Sequence, residues 1–209
     1  MPERVGLYGG SFNPIHLGHL MIAQAIAETA RLDRVIFLPS HAPPHKSQHH
    51  MLDAAHRAAM VRLAIEGELR FACSDYDLTR TGPTYTIDTV LHFRRELGPG
   101  AELFWLIGGD SLRDLISWKR LPELVEACTL LTAIRAGFGH IDWSLFRGLI
   151  GDAGIRRLQD GMLMTPVVEI SSTDIRRRLQ EGKSILNLVP EPVRAYIEKN
   201  RLYTAIGKE

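Results

Sequence analysis

Residues 4–8, Arg-Val-Gly-Leu-Tyr, run straight into Gly9-Gly10-Ser11-Phe12-Asn13-Pro14-Ile15 and then into His16-Leu17-Gly18-His19. No other passage constrains the fold as much. The apolar start reads as a short buried strand, and residues 20–30, with their apolar and Ala-rich spacing, read as the helix that follows. A chain that leaves a strand, turns on glycine and enters a helix offers free backbone N–H groups and the positive end of the helix dipole to an anion. Gly9 and Gly10 let the backbone approach that anion closely, and Pro14 stiffens the turn. His16 and His19, three residues apart, can both face the ligand. The string reads as a polyphosphate site.

A phosphate turn of the Gly-x-x-x-x-Gly-Lys-Ser/Thr type is absent, and so is a Gly-x-Gly-x-x-Gly dinucleotide fingerprint. The run from Gly9 to His19 instead resembles the Gly-x-Phe-x-Pro-x-His-x-Gly-His signature of the nucleotidyltransferase superfamily, whose adenylyl- and cytidylyltransferases are related to class I aminoacyl-tRNA synthetases. Many members carry Asp where this chain has Asn13. That departure leaves the phosphate-binding part intact and removes only an argument from negative charge.

The remaining pattern alternates strands with helices. Strands are expected at 35–39, 69–74, 102–107, 129–134 and 162–170. Helices are expected at 53–65 with Asp53 as N-cap, 85–97 ended by Gly98-Pro99-Gly100, 121–127, 173–180 and 190–200, with one or two short ones between 137 and 161. This predicts an α/β fold, a Rossmann-like parallel sheet flanked by helices of the nucleotidyltransferase type. At 209 residues the chain suits a single domain, with a core over 1–180 and a small helical C-terminal part over 181–209. Ligands of such sheets gather beyond the carboxyl ends of the strands, where strand order switches.

A net charge of +1 gives no bulk case for binding nucleic acid or a membrane surface. Cys73 and Cys128 stand alone and suit a reducing compartment. The chain enters a strand at once and has no apolar run long enough to span a bilayer, so a cytoplasmic location is expected. Its oligomeric state is left open, a homo-oligomer included.

A second strand-to-helix passage carries Ile170-Ser171-Ser172-Thr173-Asp174-Ile175-Arg176. Its hydroxyls can cap the helix, with Arg176 in the first turns beside them. It resembles the Ile-Ser-Ser-Thr-x-Ile-Arg element that closes the triphosphate site in the same superfamily. Resemblance assigns Ser171, Ser172, Thr173 and Arg176 to phosphate, and leaves Arg177 and Arg178 as surface.

Between these two motifs lie Pro43-Pro44-His45-Lys46, Thr84-Tyr85-Thr86, Gly108-Gly109-Asp110-Ser111 and Trp118, with Leu188-Val189-Pro190, Tyr196-Ile197 and Leu202-Tyr203 further on. In this order they are similar to the bacterial nicotinate-nucleotide adenylyltransferases, over essentially the whole chain. The resemblance implies ATP and nicotinate mononucleotide as substrates, and Mg2+ carried by the phosphates. Gly9, Gly10, Ser11, Phe12, His16, His19 and Asp110 would then hold ATP together with the second motif, and His16, His19 and Arg176 would be catalytic. For the mononucleotide it implies Trp118 stacked on the pyridine ring and Thr86, with Thr84 and Tyr85, at the nicotinate carboxylate. Asp110 would meet ribose, and His45, Lys46 and Arg135 are candidates around the mononucleotide and its phosphate.

His41, His45, His49 and His50 invite a metal reading, but their loop offers no thiolate and no carboxylate before Asp53. A solvated loop over the active site is expected instead. The rival readings are an adenylyltransferase for nicotinamide mononucleotide or another phosphorylated acceptor, and a nucleotide-binding sensor without turnover. Intact His16, His19 and Arg176 speak against the sensor.

Overall fold

The computed structural model describes residues 1–41 and 51–204. Its centre is a six-stranded sheet: β1 (Glu3–Gly10), β2 (Arg34–Pro39), β3 (Phe71–Cys73), β4 (Ala101–Gly108), β5 (Thr129–Ile134) and β6 (Met162–Met164). The order is β3-β2-β1-β4-β5-β6 and every pairing is parallel. Order therefore reverses between β1 and β4, the crevice where ligands of such sheets bind.

The middle strands are apolar throughout because helices cover both faces. Alternation along each strand divides the side chains. Phe37 of β2 and Phe104 and Leu106 of β4 join one core, while Ile36, Leu38, Leu103, Trp105 and Ile107 join the other. The first core is closed by α1 (Leu17–Thr29), α2 (Ala54–Ile65), α7 (Ser172–Gln180) and α8 (Glu191–Lys199). The second lies under α3 (Thr86–Leu97), α4 (Gly109–Asp114), α5 (Leu121–Ala127) and α6 (Ser144–Asp160). Ile185, Val189, Val193, Ile197 and Leu202 share the first core with β1 and β2, so the C-terminal segment is built into the sheet's own core.

Most expected elements are present, with informative differences at their ends. Asp53 caps α2 as read, accepting the Ala55 N–H at 2.8 Å. Helix α1 starts three residues early, because His16 itself sits extended at the N-cap. The strand expected over 162–170 stops at Met164. Thr165 N–H still reaches Ile134 O at 2.8 Å, but Ile134 is the last residue of β5, so the partner strand ends there. The region 137–161 holds one element, α6, interrupted at Gly151, whose φ of 62° breaks the helical turn. Two short 3₁₀ turns, Tyr76–Leu78 and Leu115–Ser117, carry no apolar periodicity and were not foreseen. Among the described residues no helix is long and apolar enough to cross a membrane.

Candidate active site

A cavity of about 740 Å³ opens where β1 and β4 part, lined by Tyr8–Gly10 at the end of one strand and Trp105–Gly108 at the end of the other. Ser11, Phe12, His16 and His19 also line it, so both halves of the first motif meet there. One part of the reading changes. Gly9 and Gly10 do not form the turn: they are the last residues of β1, paired with Leu38 and Pro39. What requires glycine is packing. A Cβ on Gly9 would lie 2.5 Å from the Trp105 indole, and one on Gly10 would lie 2.9 Å from the Phe12 ring. Gly18 is similarly pressed, with His16 Nδ1 3.0 Å from where its Cβ would be.

The two histidine rings stack, with centroids 3.7 Å apart and planes 28° from parallel. His16 is 6% exposed, and burial pulls its imidazole down to about 4, so it is neutral at pH 7. Its Nδ1 has no hydrogen-bond partner among the described residues. His16 N–H donates to His19 Nδ1 at 3.2 Å. A neutral His19 accepting at Nδ1 carries its proton on Nε2, which makes Nε2 a donor.

The second motif reaches the same cavity through Ser171, Ser172, Thr173 and Arg176, but its side chains first bind protein. Ser171 Oγ caps α7 by accepting the Asp174 N–H at 3.1 Å, and Ser172 Oγ donates to Pro14 O at 2.8 Å. Arg176 donates from Nη1 to Asn13 O at 2.7 Å and from Nη2 to Thr173 Oγ1 at 3.2 Å. Two of its five N–H donors are thus used to tie α7 to the first motif. Asn13, where acid is common in the superfamily signature, holds that loop through its amide oxygen. Oδ1 accepts the Leu52 N–H at 3.2 Å and the Tyr203 hydroxyl at 2.8 Å.

Across the cavity stand Thr84, Tyr85, Thr86, Asp110 and Trp118. Tyr85 is the N-cap of α3 and Thr86 its first residue, so the orphan N–H groups of that helix face this end. Trp118, half-buried, follows the second 3₁₀ turn. Among the lining residues that the sequence reading missed are Lys119 and Asp77. Lys119 holds its ammonium 4.0 Å over the Tyr85 ring. Asp77 is a buried carboxylate that accepts the Thr89 hydroxyl at 2.7 Å and faces Arg80 at 3.5 Å. Burial pushes its pKa up, against the hydrogen bond from Thr89 and the charge of Arg80. Asp77 lies in a polar turn without periodicity, and nothing in the string marked it.

Three candidates are not in this constellation. His45 and Lys46 lie outside the described residues. Arg135 is exposed beyond the end of β5 and is not among the cavity-lining residues. Among the described residues no three His, Cys, Asp or Glu side chains converge as a metal site would require.

The family model for cytidylyltransferase-like proteins matches residues 7–178. A relative from Thermomicrobium roseum, named a probable nicotinate-nucleotide adenylyltransferase, is 40% identical over 206 residues, covering 98% of this chain and 93% of the relative. A Thermus thermophilus protein of the same name is 42% identical over 200 residues, covering 96% and 99%. One from Neisseria meningitidis is 42% identical over 205 residues, covering 96% and 98%. The solved Plasmodium falciparum nicotinic acid mononucleotide adenylyltransferase, complexed with NaAD, superposes with a TM-score of 0.74 at 23% identity, covering 96% of this chain and 97% of that one. That likeness concerns the fold. With its signature, sheet order and full-length relatives in agreement, the chain belongs to the cytidylyltransferase-like family and, within it, to the nicotinate-nucleotide adenylyltransferases.

Proposed function

We propose that the protein transfers the adenylyl group of ATP to nicotinate mononucleotide, giving nicotinate adenine dinucleotide and pyrophosphate, a step of NAD biosynthesis. The observation that carries the reading is the pairing of two helix starts, those of α1 and α7, at one end of the cavity. They are locked together by the Arg176–Asn13 and Ser172–Pro14 hydrogen bonds. Such an end suits a polyphosphate. The other end, with Trp118 and the N-terminus of α3, suits a flat ring bearing a carboxylate.

The chemistry is a direct in-line displacement. A phosphate oxygen of the mononucleotide attacks the α-phosphorus of ATP as the bond to the pyrophosphate oxygen breaks. Nothing here needs a covalent intermediate, because such transfers are driven by positioning and charge stabilisation. His19 donates through Nε2 and His16 through its ring N–H to phosphate oxygens. The remaining donors of Arg176 take up charge on the leaving pyrophosphate. Mg2+ would be borne by the nucleotide rather than by a cluster of protein carboxylates, and would supply charge to offset the phosphates. We place the enzyme in the cytoplasm.

Arg176→Lys keeps the charge but cannot span Asn13 O and Thr173 Oγ1 and still present a fork to phosphate. The expected result is a loss of roughly tenfold or more in kcat/KM for ATP, with the acceptor KM little changed. Wild-type kinetics would reduce Arg176 to a surface residue of α7.

The acceptor is tested by incubating the protein with ATP, Mg2+ and each mononucleotide and measuring pyrophosphate. N–H and hydroxyl donors around Thr86 leave the NH₂ of an amide facing donors. The acid is therefore expected to be preferred by about tenfold or more in kcat/KM. Trp118→Ala is expected to weaken both acceptors together, since stacking does not distinguish acid from amide. Equal efficiency on the two mononucleotides would sink the nicotinate assignment.

A further inference from the structure

Arg57 is the largest fully buried side chain among the described residues, 1% exposed, in the first turns of α2. It is a cation with no carboxylate within ion-pair distance among the described residues. Its guanidinium instead meets two backbone carbonyls, donating from Nη1 to Ser11 O at 2.7 Å and from Nε to Leu52 O at 2.9 Å. Asp53, the N-cap of α2, and Tyr203 act on this charge from beyond ion-pair distance, so its direct partners are carbonyl dipoles, and a buried charge held in this way is costly unless the molecule's working state compensates it further.

The geometry of the loop shows what that is. Ser11 and Phe12 line the main cavity, whereas Arg57 lines a separate recess behind them. The Ser11–Phe12 peptide is trans, so its N–H points opposite to its C=O. With Ser11 C=O drawn onto Arg57, the Phe12 N–H is turned away from Arg57; Phe12 lines the cavity, and its N–H donates to no backbone carbonyl among the described residues. Phe12 holds this peptide at a φ of 43°, left-handed backbone that a bulky aromatic residue adopts only when its surroundings impose it.

We propose that Arg57 is a positioning residue for the polyphosphate. It clamps Ser11 C=O so that the Phe12 N–H is presented to a phosphate oxygen, and it sets a positive charge without a direct ion-pair partner behind the loop, which the ligand's negative charge complements. It touches no substrate and acts through the backbone and its field. This rests on the reading of the cavity as an ATP site, but it makes no use of the acceptor.

The test compares ATP with adenosine, which fills the same nucleoside site and carries no phosphate. Binding of each to Arg57→Met, Arg57→Lys and the unaltered protein is measured by NMR titration, with thermal melting as a check on folding. Arg57→Met is expected to weaken ATP by about tenfold or more while leaving adenosine unchanged, the size associated with losing one charge-assisted contact. Arg57→Lys keeps the charge and loses the fork, and is expected to fall between, again with adenosine unchanged. Equal weakening of both ligands would reduce Arg57 to a general packing residue, and unchanged ATP binding would overturn the proposal outright. Should Arg57→Met fail to fold, the same two outcomes are read on Arg57→Lys. An unaltered protein that binds ATP but turns over neither mononucleotide would defeat the proposed function and leave this inference standing.

Discussion

His19→Ala is expected to lower turnover by about 10²–10³-fold while the protein melts as before. The loss is that of one fixed hydrogen-bond donor aimed at charge that develops in the transition state. The structure makes the ring suited to that task in two ways. Its Nδ1 is occupied by the His16 N–H, which fixes the tautomer, and it is stacked on the His16 ring, which fixes its plane. The half-buried ring meets the first core only edge-on, at Phe12 and Tyr8, so its removal should cost far more activity than stability. His19→Asn, which retains an N–H donor, is expected to recover part of the rate. Steady-state kinetics beside a thermal melt decides it, and a normally folded His19→Ala with wild-type turnover would remove the residue from the mechanism.

Acid should destabilise the protein through His16. Its ordinary value of 6.5 is pulled down to about 4 by burial, so between these values the unfolded chain binds the proton and the folded one does not. Stability therefore rises with pH across that window, and is lost as pH falls from 6.5 toward 4. The gap is equivalent to roughly 3 kcal/mol, a large share of the stability of a domain this size. Carboxylates contribute to acid unfolding too, so the measurement is a difference. Urea unfolding of the native chain and of His16→Asn is followed from pH 7 to pH 4, and the native chain is expected to lose about 3 kcal/mol more than the variant. Parallel curves would mean that His16 is protonated in the folded protein.

Much of this site was legible in the string because its donors are contiguous. A strand, a turn and a helix start are local objects, and residues 9–19 and 170–176 carry both halves of the proposed phosphate end within short stretches. Strand–helix alternation likewise led to a parallel sheet and to a cavity beyond its strand ends, as found. The boundaries that shifted did so where neighbours intervened. Helix α1 begins at Leu17 because His16 caps it, and β6 ends early because its partner β5 ends at Ile134.

What sequence order alone determined, then, is which residue types stand together along the chain: glycines at a strand end, two histidines at a helix mouth, hydroxyls and an arginine at another. Only the tertiary structure decided what they press against. Gly9 is glycine because Trp105, 96 positions away, fills the space of its Cβ. Asn13 is held by Leu52 and by Tyr203 near the far end of the chain, and Arg57 reaches the Ser11 carbonyl from a helix with no motif of its own. These contacts join segments that the string keeps far apart. The physical reason they escape it is that a hydrogen bond or a packed ring depends on distance in space, which a periodicity along one element does not encode.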